Sequence, residues 1–233
     1  MKPFQLVELD PAGTPEWFAA FVELYQRSFT DPAEHEDPAG WTDLLREEPP
    51  EGQPRAFVLG AVDHGDRLLG GMIFELYRRS RCGLLTYLAV EPGCRRMGIG
   101  QRLIEASLTT LRRAADGDLR AVFSEVEDPD LVAASDPVTS PRDRLAFFAA
   151  MGARRVGIDY VQPELSGGGG RARHLWLLCY QSSLDDGLRR DDLLAFLTEF
   201  YRALGTRDPE ADGDFRSMTA NLTDPVPLRD ILQ

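Results

Sequence analysis

The sequence predicts an α/β fold of the mixed α+β type, in which a central β-sheet is flanked by helices. Short apolar stretches typical of strands alternate along the chain with longer stretches of helical spacing, a pattern typical of sheets covered by helices. In addition, 233 residues with 43% hydrophobic side chains suit one generous domain, or one domain with an appendage.

The N-terminal part of the chain predicts a strand over residues 4–9 and a helix over residues 15–29. Thr14 is a suitable N-cap and a proline follows at the first helical position. Residues 30–54 are rich in Asp, Glu and Pro, so we expect a loop there, with a short helix over residues 41–45.

The middle of the chain predicts three strands in a meander, over residues 55–62, 68–78 and 83–90. Helical spacing returns after Gly100, where Leu103, Ile104, Leu108 and Leu111 share one face. We expect this helix to end at Asp116-Gly117 and another strand to follow over residues 119–126.

A helix is predicted from Ser140, because a hydroxyl cap is followed by Pro141 and by a carboxylate three residues after the cap. Gly152 should end it. The remaining predicted elements are strands over residues 155–161 and 173–180, with a glycine-rich loop over 167–170 between them, an amphipathic helix over 188–204, and a tail from residue 205 with little periodicity.

The predicted organisation is one domain over residues 1–181, with a C-terminal helix and tail over residues 182–233 packed on it. The stripe of the 188–204 helix suits docking on this domain or a homodimer contact. Net charge is −12 and the isoelectric point about 4.7, which disfavours binding to nucleic acid or to anionic membranes and mildly favours cationic substrates.

The cysteines indicate the compartment. Cys82, Cys94 and Cys179 have no metal-type spacing and form no disulfide framework, so we expect no metal and a reducing environment. No basic and apolar leader opens the sequence, and no apolar run approaches the roughly 18 residues of a membrane span. We therefore expect a cytoplasmic location.

Residues 84–100 form the most informative motif. An apolar run over 84–90 predicts a strand, which leads through a Pro-Gly turn into the sequence Arg-Arg-Met-Gly-Ile-Gly at positions 95–100. A strand thus delivers two arginines and two glycines to a helix N-terminus, where unpaired N–H groups and the helix dipole favour an anion. This arrangement suits a phosphate-bearing ligand. Taken alone, the Gly-x-Gly turn is also compatible with an ordinary strand–turn–helix that carries surface arginines.

Two well-known nucleotide motifs do not match this turn. Leu103 stands where a dinucleotide fingerprint has its third glycine, and no Gly-Lys-Ser/Thr of a P-loop follows. Instead, the strand, Val90-x-Pro92 and Arg95-x-x-Gly98-x-Gly100 together resemble the acetyl-CoA-binding core of the GNAT superfamily of N-acetyltransferases. A second stretch, residues 144–153, resembles the helix that closes the cofactor site in that family.

The resemblance covers residues 4–180 and implies a GNAT-like acyl-CoA N-acyltransferase fold with a C-terminal helical extension. It implies that two parallel strands, over residues 84–90 and 119–126, splay apart to form the thioester slot. The implied contacts with acetyl-CoA come from the strand backbone at Leu88, Ala89 and Val90, with the Val90 amide as expected oxyanion donor, and from a pyrophosphate loop of Arg95, Arg96, Met97, Gly98, Ile99, Gly100 and Gln101.

The resemblance also implies a general base and an acid, but two usual positions differ here. Some members carry a Glu early in the fourth strand, where this sequence has Leu84. Many carry a Tyr in the closing helix, where this sequence has Phe148. The standard proton route is therefore missing from this chain.

Other side chains are candidates for these roles. Glu125 and Glu127 share one face near the end of the fifth strand, so either could act as base, and Glu75 in the third strand is a further candidate. Tyr87 and Tyr160 could supply the acid or line the acceptor site. The alternatives are a solvated surface group for each carboxylate and core packing for each tyrosine.

The implied reaction is direct attack of a primary amine, on a small molecule or a protein, on the thioester of acetyl-CoA. Two alternatives stay open: a non-catalytic acyl-CoA-binding module, and transfer of a longer acyl chain, with an acyl carrier protein as a possible donor. The sequence does not identify the amine.

Overall fold

The computed structural model describes residues 4–30, 35–132, 140–165, 169–184 and 186–232. Within these ranges the strands are β1 (Phe4–Glu8), β2 (Arg55–Asp63), β3 (Leu68–Tyr77), β4 (Cys82–Val90), β5 (Ala121–Glu127), β6 (Arg154–Val156), β7 (Leu175–Ser182) and β8 (Leu228–Arg229). They form one sheet in the order β1-β2-β3-β4-β5-β7-β6-β8.

The described helices are α1 (Pro15–Ser28), α2 (Trp41–Leu44), α3 (Ile99–Ala114), α4 (Pro141–Ala150), α5 (Arg190–Ala203) and α6 (Gly213–Thr219). Within the described ranges, none combines the length and the apolar character that crossing a bilayer requires. Strands β1 to β4 form an antiparallel meander, β4 and β5 are parallel, and the remaining pairs are antiparallel. The predicted mixed sheet flanked by helices is confirmed.

The two faces of the sheet are covered by different helices. On one face, Leu103 and Ile104 of α3 are almost fully buried and share a core with Phe74 of β3. The opposite face is covered by α1 and α5, whose buried side chains pack around Ile73 and Tyr77 respectively. The period-two alternation along β3 therefore separates two cores, one on each side of the sheet.

Helix α4 begins as predicted. The Ser140 hydroxyl accepts a hydrogen bond from the Asp143 backbone N–H at 3.1 Å, and the Asp143 carboxylate accepts one from the Ser140 N–H at 3.2 Å. This reciprocal capping box satisfies two of the N–H groups that a helix N-terminus leaves unpaired. It fixes where α4 enters the fold, beside the α3 face of the sheet.

The C-terminal helix α5 docks on the β3–β4 turn. The Glu199 carboxylate accepts hydrogen bonds from the backbone N–H groups of Arg79 and Ser80, at 3.1 and 2.8 Å. The Phe196 ring stacks on Phe123 of β5, with ring centroids 4.4 Å apart. Residues of α5 thus share a core with the central strands.

The strand predicted over residues 155–161 is wrong in extent, since β6 ends at Val156. The Gly157 N–H donates to the Pro227 carbonyl at 2.9 Å, and a Cβ at Gly157 would lie 2.9 Å from the Pro227 ring. The close approach of the C-terminal segment turns the chain out of the sheet here. Ile158 and Tyr160 remain buried, which explains their strand-like alternation.

The tail from residue 205 is more ordered than its weak periodicity predicts, because it forms α6 and β8. The Asp212 carboxylate caps α6 by accepting from the Asp214 and Phe215 N–H groups, at 3.1 and 3.0 Å. Arg171 donates to the Asp212 and Asp214 carboxylates. The predicted loop over 167–170 lies partly outside the described residues.

Candidate active site

Strands β4 and β5 diverge along their length. Their parallel pairing runs from Cys82 opposite Ala121 to Leu85 opposite Ser124, and it stops there although both strands continue. The separation opens a cavity of about 1220 Å³ between and around their C-terminal halves. A slot between these two strands is what the family resemblance implies.

A β-bulge in β4 lies at the point of divergence. Ile73 pairs with Tyr87 and Phe74 with Leu85, so Thr86 is an extra residue on the β4 side. Thr86 lines the cavity, and its buried hydroxyl oxygen has no hydrogen-bond partner among the described residues. The bulge therefore places the Thr86 hydroxyl in the wall of the slot.

The backbone of β4 presents hydrogen-bonding groups to this slot. The Glu91 N–H donates to the Leu69 carbonyl of the β3 side at 2.9 Å. Because backbone groups of alternate residues point to opposite sides of a strand, those of Ala89 also face β3, whereas those of Leu88 and Val90 face the slot. Of the three strand residues predicted to contact acetyl-CoA through their backbone, Leu88 and Val90 direct their N–H and C=O groups into the slot. Those of Ala89 are directed toward β3.

The loop before α3 forms one end of the cavity, here called the loop end (residues 95–101). Gly98 is the N-cap of α3 and has a left-handed φ of 78°, while Arg96 has a φ of 63°. A Cβ built at Gly98 meets no atom within 4 Å, so a ligand can approach this backbone closely. Successive N–H groups at a curled helix start form an anion-binding concavity.

Most of the predicted loop residues line the cavity: Arg95, Arg96, Gly98, Ile99, Gly100 and Gln101. Met97 is not among them, because its half-buried side chain packs on the core beneath α3. Two arginines beside a helix N-terminus match the charge and the hydrogen-bonding capacity of a pyrophosphate. The residues present therefore fit the phosphate end of a coenzyme A molecule.

Helix α4 closes the cavity from the side of α3. A Cβ at Gly100 would lie 3.1 Å from the Phe147 ring of α4, so the glycine permits this close approach. Arg144 of α4 forms an ion pair with Glu127 of β5. Both residues line the cavity, and the ion pair ties α4 to the end of β5.

Three carboxylates line the other part of the cavity, here called the carboxylate end: Glu36, Glu75 and Glu125. Glu75 of β3 is 6% exposed and accepts a hydrogen bond from the Tyr77 hydroxyl at 2.8 Å. Burial, reinforced by the charge of Glu36, raises its pKa to about 8. A carboxylate with such a pKa exchanges protons near neutral pH.

Glu125 is the first residue of β5 beyond the last pair with β4. Its carboxylate accepts hydrogen bonds from the Tyr160 hydroxyl and from the Gln162 side-chain amide, the latter at 2.9 Å. These two donors, both from the segment after β6, hold the Glu125 carboxylate in position at the mouth of the slot.

The other three residues predicted to be catalytic have different surroundings. The Glu127 carboxylate is engaged by Arg144. Tyr160 donates its hydroxyl hydrogen bond to Glu125 and is not among the described residues that line the cavity. Tyr87 lines the cavity within an aromatic cluster, 4.7 Å from Tyr25 and 5.0 Å from Phe29 between ring centroids.

A match to known proteins decides the family. The family model described as the acetyltransferase (GNAT) family matches residues 18–135, which is half of the chain. The chain belongs to the GNAT acetyltransferase family. The match includes the divergent strands and the loop end, and it stops before α4.

Solved structures show the same fold. A GNAT-family acetyltransferase from Bacteroides thetaiotaomicron has a TM-score of 0.56 at 18% identity, covering 78% of this chain and 88% of its own. The ribosomal-protein-S18-alanine N-acetyltransferase of Escherichia coli has 0.50 at 17% identity, covering 78% and 96%. Ard1 from Thermoplasma volcanium has 0.50 at 20% identity, covering 76% and 95%. A comparison with curated proteins gives no match.

Two polar side chains lie next to the positions where this GNAT chain has Leu84 and Phe148. Leu84 of β4 pairs with Glu75 of β3, so the Glu75 side chain lies on the same face one strand away. Phe148 of α4 meets the ring of Tyr180 of β7 edge-on at 6.4 Å, and Tyr180 lines the cavity. A carboxylate and a phenol therefore stand next to the positions where the family resemblance implies them.

Sequence reasoning missed Tyr180, Gln162 and Glu36 as cavity residues of this GNAT domain. In the sequence, Tyr180 is only the last residue of a predicted strand, and nothing there connects it with Phe148. Gln162 directly follows the strand predicted over residues 155–161, so the sequence gives no reason to place it in a site. Among the described residues, no cluster of histidine, cysteine and carboxylate side chains is arranged to hold a metal ion.

Proposed function

We propose that this protein is an acetyl-CoA-dependent N-acetyltransferase that acts on a primary amine. The observation that carries the proposal is the slot between β4 and β5, which has the anion-binding loop end on one side and the buried carboxylate of Glu75 on the other. GNAT membership supports transfer of an acyl group in general. The choice of acetyl and of an amine rests on the family resemblance.

Binding of the donor uses backbone more than side chains. The N–H groups at the start of α3 and the guanidinium groups of Arg95 and Arg96 would hold the pyrophosphate. The outward-facing backbone groups of Leu88 and Val90 would pair with the pantetheine amides as an added strand would. Acetyl-CoA supplies the acyl group as a thioester, whose C–S bond breaks as the amine nitrogen forms the new C–N bond.

The amine must lose a proton to react. An alkylammonium group has a pKa near ~10.4 in water, so a base must accept its proton. We assign this role to Glu75, because its pKa of about 8 lies nearer to that of the ammonium group than does that of an ordinary carboxyl. Glu125, held by Gln162, would orient the amine without accepting its proton.

Two further groups would act on the acyl carbon and the leaving sulfur. A backbone N–H of Leu88 or Val90 facing the slot would donate to the developing oxyanion. The Tyr180 hydroxyl would protonate the departing thiolate. Burial raises the pKa of Tyr180 well above its ordinary value, so this phenol is protonated in the resting enzyme and has a proton to donate.

The experiment that tests this proposal follows free thiol release from acetyl-CoA with a panel of primary amines, and identifies the acetylated product by mass spectrometry. Amine-dependent thiol release with a matching product supports the enzyme. Acetyl-CoA binding without turnover of any amine supports the non-catalytic binding module instead. Faster turnover of a longer acyl-CoA supports the longer acyl donor. Cytoplasmic location and homodimer formation stay predictions.

A further inference from the structure

The carboxylate end of the cavity is built from groups that accept hydrogen bonds. Glu36 comes from the segment between α1 and α2, Glu75 from β3 and Glu125 from β5, so three separate elements converge. The charges are close enough to act on one another, because Glu36 and Glu125 both raise the pKa of Glu75. Converging carboxyl groups are costly to ionise together unless a positive partner arrives.

A second, independent observation points to a ligand at this end. Gln162 is 5% exposed and lines the cavity, and its side-chain oxygen is buried without a hydrogen-bond partner among the described residues. Its side-chain N–H₂ donates to Glu125, which fixes the direction of the amide, since a flipped amide would set two acceptors against each other. The unused oxygen can accept a hydrogen bond from an N–H or O–H donor that enters the cavity.

The positively charged side chains that line the cavity lie outside the carboxylate end. Among the described lining residues, Arg95 and Arg96 belong to the loop end, and Arg144 on α4 is paired with Glu127. The walls at the carboxylate end are apolar: the Phe200 ring of α5 lies 6.0 Å from that of Tyr77, and Phe29 of the α1 end packs on Tyr87. Such walls suit a short hydrocarbon linker between charged groups.

Glu36 extends the site beyond the reacting centre. Its carboxylate accepts a 3.4 Å hydrogen bond from the Trp41 indole, and burial raises its pKa. Its backbone is held by the Tyr25 hydroxyl, at 2.7 Å from the Glu36 nitrogen. Glu36 is thus a fixed carboxylate held by the α1 and α2 segments, in addition to Glu125, which would orient the reacting amine.

We infer that the amine acceptor is a small molecule with at least two positively charged nitrogens on a short apolar linker. The reacting nitrogen donates to Glu125 and to the side-chain oxygen of Gln162, and the second nitrogen is held by Glu36. This inference rests on the proposed N-acetyltransferase function, for which it names the substrate class.

The test compares α,ω-diamines of three to six carbons with monoamines of equal length, in the thiol-release assay with acetyl-CoA. We expect kcat/KM for the best diamine to exceed that of its matched monoamine at least about tenfold, as a charge-assisted contact provides. Equal values for the two series overturn the inference and leave the proposed function standing. A peptide N-terminal amine turned over faster than every diamine also overturns it.

A variant assigns the preference to Glu36. Glu36→Gln should bring the ratio of diamine to monoamine kcat/KM down to near one, whereas Glu23→Gln, which removes an exposed carboxylate of α1, should leave the ratio unchanged. Thermal unfolding checks that both variants fold, and if Glu36→Gln does not, the wild-type ratio decides alone. Loss of the ratio in both variants overturns the assignment. Absence of acetyl-CoA binding and of all turnover overturns the inference together with the proposed function.

Discussion

Glu75 of β3 lies directly across from Leu84 of β4, and both side chains are on the face of the sheet that α5 covers. The family resemblance implies a general base at the Leu84 position, which a leucine cannot supply. A carboxylate one strand away occupies the neighbouring place on the same face. We therefore expect the general base on β3 instead of β4, still within the cavity.

Glu75→Gln should lower kcat about 10²- to 10⁴-fold, because the variant keeps the shape of the side chain but cannot accept the proton of the amine. The KM for acetyl-CoA should change little, since Glu75 lies away from the loop end. The matched control is Glu16→Gln, an exposed carboxylate on α1. Steady-state thiol release measures both, and a variant with wild-type kcat would exclude Glu75 as the base.

The pH dependence of kcat/KM follows from the same group. The pKa of Glu75 is raised to about 8 by burial, and a base works only when deprotonated, so kcat/KM should rise with pH and level off above about pH 8. Glu75→Gln should lack this rise. A flat wild-type profile between pH 6 and pH 9 would contradict the assignment.

Stability should depend on Glu75 in a defined direction. Its pKa is about 8 in the folded state against an ordinary value of 4.5, so between these values the folded protein holds a proton that the unfolded chain has lost. The free energy of unfolding therefore falls as pH rises through this window. Urea unfolding at pH 5 and pH 9 should show Glu75→Gln gaining stability relative to wild type at pH 9, and parallel behaviour of the two proteins would refute the raised pKa.

Tyr180→Phe should lower kcat about a hundredfold, because the thiolate would leave without a proton donor. Affinity for acetyl-CoA should stay close to that of the wild type, as the aromatic ring beside Phe148 is kept. The double variant Phe148→Tyr with Tyr180→Phe restores a phenol at the position that the family resemblance implies. Recovery of kcat in the double variant supports the role of the hydroxyl, and an unchanged kcat in Tyr180→Phe opposes it.

Gly98→Val should weaken acetyl-CoA binding at least about tenfold, since a β-branched residue is strained at a φ of 78° and its side chain would enter the space open to the pyrophosphate. Gly93→Val is the control: Gly93 lies in the preceding turn, also has open space around its Cβ, and does not line the cavity. Equilibrium dialysis with acetyl-CoA measures both. Equal loss in the two variants would place the pyrophosphate elsewhere.

The sequence predicted the elements whose signals are local. Strands β2 to β4, helix α3 and the capped start of α4 follow from periodicity and from Ser140, and the loop end follows from its glycines and arginines. The C-terminal elements are harder to predict from the sequence. Asp212 with Phe215 signals a capped helix, yet two buried side chains over one turn give too little periodicity to predict α6.

The catalytic side chains could be predicted only in part, because their roles depend on contacts distant in sequence. Glu125 and Glu127 share a face of the predicted strand and have the same side chain. In the structure, Glu125 accepts hydrogen bonds from Tyr160 and Gln162, whereas Glu127 forms an ion pair with Arg144. The ring of Tyr180 contacts that of Phe148, which lies 32 positions earlier in the chain. No pattern within one segment reveals such pairs.

Titration calorimetry of the wild-type protein with acetyl-CoA tests the central claim most directly, because the whole account depends on the slot and the loop end binding this donor. We expect saturable binding at one site per chain with micromolar affinity. A titration without binding heat at several temperatures, for a folded protein, would contradict it.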